Sequence, residues 1–323
     1  MYDVAIIGAG NIAANYDNPT DEHLLTHAHA ISSSMHFNLV GFYDVNQGAA
    51  RKAAAKWNCS WFQDMNTAIS SANVVCIAVP DTYHYNVLQQ CLAQDSVDAV
   101  IMEKPYMATL SEARSIQELL DKYNVPIILN YSRRFMSEFR ELKRWITDVA
   151  DDFICGNCYY GKGTLHNGSH LIDIMRYFFG NFKVGQVIDK IVDFTPADPS
   201  CDFYLYAHNK KRRIYFHPIP CNRVTTFEFD LMFTNGRIRY SDEMGKIEYY
   251  EILKANPLFD EVNYIKRREV KINPSNAMCG LYENLYNVLA NKREALCTEE
   301  DGVMVSCIVE EIYKQVGKVI NDE

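Results

Sequence analysis

The sequence lacks any apolar run that approaches the roughly 18 to 20 residues needed to span a membrane. It also lacks internal repeats and low-complexity segments. The N-terminus, MYDVAIIGAG, has neither the basic n-region nor the small-residue cleavage site of a signal peptide, and it enters an apolar strand directly. These absences predict a cytoplasmic protein with no membrane partner.

Basic residues are in the minority, because 32 Lys and Arg stand against 41 Asp and Glu and leave a formal net charge of −9. This balance argues against nucleic acid and anionic membranes as partners. Two basic runs, 210–213 and 266–268, lie among strand-like residues, so hairpin tips or solvated strand faces account for them. The 323 residues are long for one core and suit two domains.

The ten cysteines are expected to be reduced thiols and not a disulfide framework. One stretch, CGNCYYGKGTLHNGSH at 155–170, raises the question of a zinc site or a redox pair. Zinc fingers have about twelve residues between the second cysteine and the first histidine, and this stretch has fewer. Cys155 and Cys158 follow apolar residues in a predicted strand, so we assign them to the scaffold and predict no metal.

The first strand ends in a glycine turn, Gly8-Ala9-Gly10-Asn11-Ile12-Ala13, which is a GxGxxA pattern. Gly8 permits the tight strand-to-helix turn, and Gly10 lets the backbone approach a pyrophosphate. Ala13 replaces the third glycine where the helix packs closely on the strand. The pattern predicts a dinucleotide site with the diphosphate at a helix N-terminus.

A carboxylate is expected at the end of the next strand, and Asp44 ends the strand-like stretch 37–44. It can accept hydrogen bonds from ribose hydroxyls and repel a 2′-phosphate, which favours NAD over NADP. Asp44 lies further from the glycine turn than the usual spacing of about 20 residues. The excess, NYDNPTDEHLLTHAHA, resembles an insertion. We assign its histidines to a helix surface or to loop capping and not to a metal site: His23, His27 and His29.

Strands and helices then alternate. A buried strand at 72–79 is closed by Pro80, and a further strand at 97–102 runs into Glu-Lys-Pro with Lys104 at its centre. A helix and a strand at 125–130 follow. This alternation predicts an α/β fold with a doubly wound parallel sheet. Ligands of such sheets gather at the C-terminal strand ends, where Pro80 and Lys104 fall.

In combination the motifs GAGNIA, YD, AVPDTYH, EKP and NYSRRF resemble the Gfo/Idh/MocA family of NAD(P)-dependent sugar oxidoreductases. The resemblance covers essentially the whole chain, including a tail similar to the family's closing pair of helices. It implies a nucleotide-binding Rossmann domain, residues 1–130, and an α+β domain for substrate binding and oligomerisation, residues 131–323. The second domain should carry an open, mostly antiparallel sheet and support a homodimer or homotetramer.

The residues after about 186 agree with this expectation, because short strands rich in β-branched and aromatic residues appear there, with a hairpin break at Asn235-Gly236. The motifs and the resemblance together give these candidate cofactor contacts: Gly8, Gly10, Asn11, Ile12, Asp44, Val79, Pro80, His84, Glu103 and Lys104. His84 matches a family histidine beside the cofactor, and we expect it to cap a helix or pack against the cofactor rather than act in acid/base catalysis.

Oxidation of a secondary alcohol removes a hydride from carbon and a proton from the hydroxyl, so a base must reach that hydroxyl. In the family the lysine of EKP and the aspartate and histidine of a DxGxH-like motif do this. Lys104 and His170 match two of these positions, while His166 stands where the family has aspartate. A histidine there can be neutral or cationic and can itself carry a proton. Our catalytic candidates are therefore Lys104, His170 and His166.

A helix from about 163–164 to 179 would align His166, His170 and Asp173 on one stripe, and would bury Leu171, Ile174, Met175 and Phe178. Two imidazoles and an ammonium favour an anionic substrate such as a uronate, a phosphorylated sugar or a nucleotide-linked sugar. The predicted substrate contacts are Lys104, Arg133, Arg134, His166, His170 and Asp173. For the two arginines, bracing the domain junction is the alternative.

The sequence thus predicts an NAD-dependent oxidoreductase that transfers a hydride between nicotinamide and a secondary hydroxyl, or ketone, of a sugar-type substrate. Two alternatives stay open. One is a redox-neutral glycosidase that keeps its NAD, and the other is a non-catalytic regulator that senses NAD or a sugar with the same fold.

Overall fold

The computed structural model describes residues 1–120, 122–123, 125–149, 152–207, 210–256 and 261–319. Two compact units make up the chain. Unit 1 comprises Met1–Ser137 and Pro274–Ser306, and unit 2 comprises Glu138–Asn273 and Cys307–Glu323. The sequence analysis predicted a single domain boundary after residue 130. In the structure, unit 1 extends to Ser137 and also includes the later segment Pro274–Ser306.

Unit 1 is built on a parallel sheet whose strands are β1 (Tyr2–Ile7), β2 (Phe37–Tyr43), β3 (Ser60–Phe62), β4 (Val74–Ile77), β5 (Ala99–Glu103) and β6 (Ile127–Asn130). Their order is β3-β2-β1-β4-β5-β6, and each neighbouring pair is parallel. This is the doubly wound order, with its switch point between β1 and β4. The predicted α/β class is confirmed.

The two strands at the switch point are buried on both faces. Val4 to Ile7 in β1 and Val74 to Ile77 in β4 are each at most 1% exposed. Because helices cover both sides of a parallel sheet, such strands read as continuous apolar runs instead of alternating ones. That is why VAII and VVCI stand out in the sequence.

The α-helices of the described residues are α1 (His27–Ser32), α2 (Gln47–Trp57), α3 (Met65–Ser70), α4 (His84–Leu92), α5 (Leu110–Leu120), α6 (Ser137–Val149), α7 (Ser169–Phe179), α8 (Ser275–Asn291) and α9 (Glu299–Val319). Short π-helical turns occupy Asn11–Asn15 and Thr164–Gly168. Short 3₁₀ turns occupy Asp81–Tyr83 and Ser132–Phe135. Across these described ranges, none of the helices combines the length and the apolar character needed to cross a membrane.

Unit 2 is built on an eight-stranded sheet of β7 (Phe153–Tyr160), β8 (Phe182–Thr195), β9 (Asp198–Ala207), β10 (Lys210–Pro218), β11 (Phe227–Phe233), β12 (Gly236–Ser241), β13 (Lys246–Asn256) and β14 (Glu261–Lys271). The order is β14-β13-β12-β11-β7-β10-β9-β8. The strands β7 and β10 pair in parallel, and the other neighbours pair antiparallel. The predicted mostly antiparallel sheet is confirmed.

One face of this sheet is apolar and covered by helices. Alternate residues of β11, namely Phe227, Phe229, Leu231 and Phe233, are at most 4% exposed, and the residues between them are half-buried. Phe139 of α6 and Phe178 of α7 both pack edge-on against Phe229. The alternation is the expected pattern for an antiparallel sheet with one core face.

The other face carries charged residues in mutual contact, including Lys266 from the second basic run of the sequence. Lys266 on β14 pairs with Glu248 at 3.3 Å and with Glu269 at 2.9 Å. The other two basic residues, which are also exposed, pair elsewhere: Arg267 with Glu251 at 2.9 Å, and Arg268 with Glu141 of α6. A solvated strand face therefore accounts for the run 266–268, as the sequence predicted.

Candidate active site

The turn after β1 requires glycine at position 8. Gly8 has a φ of +105°, and its N–H donates to the carbonyl oxygen of Tyr43 at 2.7 Å. A Cβ built on Gly8 would lie 2.3 Å from the carbonyl oxygen of Ala78. A side chain is thus excluded both by the left-handed backbone and by packing against the residue after β4.

Gly10 differs from Gly8 in having no such neighbour. Within the part of the chain that the structure describes, no atom lies within 4 Å of a Cβ built on Gly10, and the residue is exposed. An unhindered backbone at this position lets a diphosphate approach closely. Packing within the fold therefore explains glycine at position 8 but not at position 10, where close approach of a diphosphate stays the prediction.

This difference predicts opposite consequences for two alanine variants. Gly8→Ala should lower the free energy of unfolding by about 2–5 kcal/mol, because a left-handed penalty adds to an overpacking cost. Gly10→Ala should leave stability nearly unchanged but weaken binding of NADH. Urea unfolding and titration of NADH fluorescence measure the two effects. Equal stability of Gly8→Ala and the unmodified chain would contradict the packing argument.

The helix predicted after the glycine turn is much shorter than the pattern suggests. The chain forms a five-residue π-helical turn, Asn11–Asn15, before it leaves the helical conformation. The carbonyl oxygen of Ala14 accepts hydrogen bonds from Lys56 Nζ at 2.9 Å and from Trp57 Nε1 at 3.0 Å, which end the turn. A turn of this length has little macrodipole, so the open backbone at Gly10 is the feature that fits a diphosphate.

Asp44 directly follows β2 and is fixed beside the glycine turn. One carboxylate oxygen accepts the N–H of Ala9 at 2.8 Å, and the other accepts the N–H of Asn46 at 2.8 Å. Each carboxylate oxygen can accept more than one hydrogen bond, so acceptor capacity remains for ribose hydroxyls. The predicted acid therefore lies next to the predicted diphosphate turn.

The segment interpreted as an insertion is folded around Asp17, which is 2% exposed. This carboxylate accepts the N–H groups of Leu25 at 2.5 Å and Thr26 at 3.1 Å, the Thr26 hydroxyl at 2.6 Å, and His29 Nδ1 at 2.9 Å. Burial raises the pKa of Asp17, but hydrogen bonds from Thr26, Leu25 and His29 outweigh it and lower the pKa below its ordinary value. For His29 the helix-surface alternative is therefore wrong, while its contact with Asp17 in the preceding loop fits the loop-capping alternative.

The helix-surface alternative is wrong for His27 as well. The ring is fully buried, with Nε2 2.9 Å from Glu103 Oε1 and Nδ1 3.1 Å from the Tyr282 hydroxyl. Glu103 also accepts Asn130 Nδ2 at 2.7 Å. Burial raises the pKa of Glu103, but His27, Asn130 and the charge of Lys104 lower it overall. His23, in contrast, is exposed and lies 3.3 Å from the Ser275 hydroxyl.

The Glu-Lys-Pro segment is held from its other end by His84. The buried ring places Nδ1 2.8 Å from the carbonyl oxygen of Pro105 and Nε2 3.0 Å from that of Val79. The bond between Lys104 and Pro105 is cis. His84 therefore joins the loop after β4 to the loop after β5, and Lys104 lies between two anchored residues.

The two arginines after β6 have different surroundings. Arg134 is 4% exposed and forms a bidentate pair with Asp301 at 2.8 and 2.9 Å, with a further bond to the carbonyl oxygen of Leu296 at 3.1 Å. These contacts give Arg134 a structural role in unit 1, and its predicted role as a substrate contact stays a prediction. Arg133 is half-buried in the turn Ser132–Phe135 and stays a substrate candidate.

The remaining predicted site residues belong to unit 2. The π-helical turn Thr164–Gly168 runs directly into α7, which ends at Gly180 with a φ of +85°. The four residues expected to be buried are at most 2% exposed, namely Leu171, Ile174, Met175 and Phe178. His166 and His170 are half-buried, whereas Asp173 is 1% exposed. Since His166 lies in the π-helical turn, the α-helical spacing rule does not align it with His170.

A carboxylate that the sequence did not indicate holds the backbone of this turn. Asp198 accepts the N–H of His166 at 2.8 Å, the N–H of Leu165 at 2.8 Å and the Tyr313 hydroxyl at 2.5 Å. A Cβ on Gly163, which has a φ of +83°, would lie 2.2 Å from this carboxylate. No local spacing could have revealed Asp198, because it comes from β9.

The two cysteines of the CxxC stretch lie in β7 as predicted. Burial raises the pKa of both thiols, strongly for the fully buried Cys158, and the charge of Asp230 adds to the effect at Cys155. Both thiols therefore stay protonated near neutral pH, which suits packing more than nucleophilic chemistry.

Comparison with known proteins gives the following matches. Residues 2–131 match the family model named GFO_IDH_MocA, described as an oxidoreductase family with an NAD-binding Rossmann fold. Glucose-6-phosphate 3-dehydrogenase of Bacillus subtilis (strain 168) is 27% identical over 146 residues, 45% of this chain and 38% of that protein. The scyllo-inositol 2-dehydrogenase (NADP(+)) of the same strain is 25% identical over 126 residues, 33% of this chain and 35% of that protein. The matches thus span little more than a third of these relatives.

Two solved structures resemble the chain over nearly its whole length. UDP-N-acetylglucosamine 3-dehydrogenase from Acidithiobacillus ferrooxidans has a TM-score of 0.74 at 14% identity, covering 97% of each chain. An oxidoreductase from Thermotoga maritima has a TM-score of 0.75 at 17% identity, covering 98% of this chain and 97% of the other. At these identities the likeness shows a shared fold.

Proposed function

We propose that the protein is an NAD-dependent dehydrogenase of sugar-type substrates, because residues 2–131 match the model of the GFO_IDH_MocA oxidoreductase family with its NAD-binding Rossmann fold. It transfers a hydride between the nicotinamide and a secondary hydroxyl, or the corresponding ketone. A bound nicotinamide dinucleotide supplies the hydride acceptor or donor.

One observation carries this proposal, which is the row of functional groups along the C-terminal edge of the parallel sheet. The open turn at Gly10 follows β1, Asp44 follows β2, Val79 precedes the turn after β4, and Lys104 follows β5. Ligands of doubly wound sheets bind along this edge at the switch point. The bond from Ala9 N–H to Asp44 links two of these groups directly.

The chain's own residues handle the proton. Oxidation frees a proton from the substrate hydroxyl, and the candidates that we propose for its acceptance are Lys104, His170 and His166. Lys104 is suited to this because the residues on both sides of it are anchored, Glu103 by His27 and Pro105 by His84. Anchoring lowers the cost of holding an ammonium or amine in one orientation.

We further propose that the substrate carries a phosphate. Lys104, Arg133, His166 and His170 supply cationic or potentially cationic groups, whereas the charge of Arg134 is already balanced by Asp301. A relative and a structural neighbour are named for glucose 6-phosphate and for a UDP-linked sugar, which are both phosphate-bearing. The favoured chemistry is oxidation of a ring hydroxyl in such a sugar.

An absorbance assay for reduced nicotinamide tests this proposal. We expect purified protein to reduce NAD⁺ with glucose 6-phosphate or UDP-N-acetylglucosamine, and to show a higher kcat/KM with them than with neutral myo-inositol. NAD⁺ should be preferred over NADP⁺ by about tenfold or more, because the Asp44 carboxylate repels a 2′-phosphate. Asp44→Ser should reduce that preference, and this variant therefore tests whether the carboxylate is its cause.

Two results would replace the proposal. Release of an aglycone from a glycoside without net reduction of NAD⁺ would indicate the redox-neutral glycosidase. Tight NADH binding without turnover of any sugar would indicate the regulator. The relation of the chain to an NADP(+)-dependent inositol dehydrogenase makes the comparison of the two cofactors essential.

A further inference from the structure

The Gly161-Lys162-Gly163 turn, which follows β7, admits only one side chain. A Cβ on Gly161 would lie 2.3 Å from the carbonyl oxygen of Ile219, and one on Gly163 would lie 2.2 Å from the Asp198 carboxylate. Packing therefore demands glycine on both sides of Lys162. The one side chain that the turn can present is that of an exposed lysine.

Lys162 itself adopts a conformation that favours glycine. Its φ is +68°, and its N–H donates to Asp193 Oδ2 at 2.7 Å. A non-glycine residue in the left-handed region costs roughly 1–2 kcal/mol, which the surroundings must offset. A lysine at a position where glycine would be more stable points to a role for its side chain.

The Lys162 side chain lies over an exposed aromatic ring. Its ammonium is 5.9 Å from the ring centroid of Phe194, and the His166 ring lies 4.8 Å from the same centroid at an angle of 32°. Phe194 is 43% exposed near the end of β8. A cation, an imidazole and an accessible aromatic surface thus meet on unit 2.

Two carboxylates fix the backbone around this cluster. Asp193 accepts the Ser200 hydroxyl at 2.7 Å and the N–H of Cys221 at 3.1 Å, besides the N–H of Lys162. Asp198 accepts the N–H of His166 at 2.8 Å. Both carboxylates accept hydrogen bonds from the protein's own groups, and these bonds partly compensate their negative charge. The charged groups that the cluster presents to solvent are therefore the Lys162 ammonium and, when it is protonated, the His166 imidazole.

We propose that Lys162, His166 and Phe194 form a substrate subsite on unit 2 that binds the phosphate-bearing part of a sugar. The Lys162 ammonium pairs with the phosphate, His166 adds a donor, and Phe194 packs against the C–H face of the pyranose ring or against a base. This subsite rests on the proposed function and deepens it, because it names the group that the enzyme uses to select its substrate. None of the three contacts requires a group from outside unit 2.

Direct binding to the NADH form separates this proposal from turnover, since the alcohol substrate cannot react with reduced cofactor. Calorimetry should show that glucose 6-phosphate binds the unmodified protein more tightly than glucose does. Lys162→Met should weaken glucose 6-phosphate about tenfold, a loss typical of one charge-assisted contact, and leave glucose unchanged. Phe194→Ala should weaken both sugars, because stacking does not depend on the phosphate.

A second lysine variant distinguishes a binding role from a structural one. Lys162→Gly relieves the left-handed backbone and should be at least as stable as the unmodified chain, yet it should lose the same affinity as Lys162→Met. A merely structural lysine would give the reverse, with affinity retained. Lys183→Met, which removes an exposed lysine near the start of β8, is the matched control and should change neither affinity nor stability.

Two results would overturn the subsite. One is unchanged glucose 6-phosphate affinity in both Lys162 variants, and the other is equal affinity of the unmodified protein for glucose and its phosphate. Neither result would affect the proposed hydride transfer, which is decided separately by turnover of any sugar. Equal affinity for the two sugars would, however, also count against the proposed preference for a phosphate-bearing substrate. Absence of hydride transfer together with intact phosphate-dependent binding would reject the enzyme and keep the subsite.

Discussion

Replacing Lys104 with Met should lower kcat for sugar oxidation by about 10²–10⁴-fold, the range expected when a positioned general acid or base is lost. The fold should be retained, because His27 holds Glu103 and His84 holds Pro105 on either side of the lysine. Steady-state kinetics with saturating NAD⁺ and sugar measures kcat apart from KM. The loss should appear mainly in kcat, because the interaction between Lys104 and the transferred proton is stronger in the transition state than in the bound substrate.

Two further variants make this test specific. Lys104→Arg keeps the positive charge but cannot release a proton near neutral pH, so it should not restore kcat if Lys104 transfers protons. Substantial activity in Lys104→Arg would mean that the charge alone is needed. Lys52→Met removes an exposed lysine of α2 and should behave like the unmodified protein. Unchanged kcat in Lys104→Met would move proton transfer to His170.

The parts of the fold that could be predicted depend on contiguous stretches of sequence. The apolar strands β1 and β4, the glycine turn with its positive φ at Gly8, and Asp44 at the end of β2 are each readable within a few residues. Sheet order then follows from the alternation of strands and helices, because parallel neighbours need crossover connections. The helical segment that begins at Thr164 and ends before Gly180 was predictable for the same reason.

The parts that could not be predicted depend on partners far away in the chain. His27 meets Glu103 across 76 residues, and Leu165 meets Asp198 across 33 residues. Arg134 meets Asp301 across 167 residues, so a local pair of arginines could not show which one is already neutralised. A sequence window reports the polarity of a histidine or an arginine but not the carboxylate that makes its burial stable.

One sequence signal for the buried histidines was nevertheless present. Thr26 caps α1 by accepting the N–H of His29, and the helix HAHAIS has small apolar residues between its histidines. A short helix without a charged face cannot present a solvated side, so its histidines belong inside. The excess spacing before Asp44 is therefore a folded element whose buried His27 contacts Glu103, the residue before the proposed catalytic lysine.

Loss of His27 from its pair with Glu103 should strongly destabilise the protein, because the His27 side chain is fully buried and that of Glu103 is only 13% exposed. His27→Gln should lower the free energy of unfolding by about 3–5 kcal/mol near pH 6, the cost of leaving one member of a buried ion pair without its partner. Urea unfolding at a series of pH values measures this difference. His36→Gln, in which a half-buried histidine stacked on Tyr286 is changed, is the matched control and should lose only about 0.5 kcal/mol.

The pH dependence of this difference identifies the charge on His27. Burial lowers the pKa of His27, but the Cys76 thiol and the Glu103 carboxylate raise it from 6.5 to about 10. A raised pKa gives a stabilising contribution that is complete below pH 6.5 and is lost as the pH rises through about 10. Glu103 has a lowered pKa, so its contribution is present above its ordinary value of 4.5 and is lost as the pH falls through the folded value.

The stability difference between the unmodified protein and His27→Gln should therefore be largest between about pH 5 and 6.5 and should shrink steadily toward pH 10. A difference that stays constant over this range would mean that His27 is a neutral hydrogen-bonding group. In a double-mutant cycle, Glu103→Gln should remove most of the effect of His27→Gln, because each charge is costly only when the other is absent. Glu103 directly precedes Lys104, so the charge state of the His27–Glu103 pair sets the electrostatic environment of the proposed catalytic lysine. We therefore expect kcat to fall together with stability when the pH rises far enough for His27 to lose its proton.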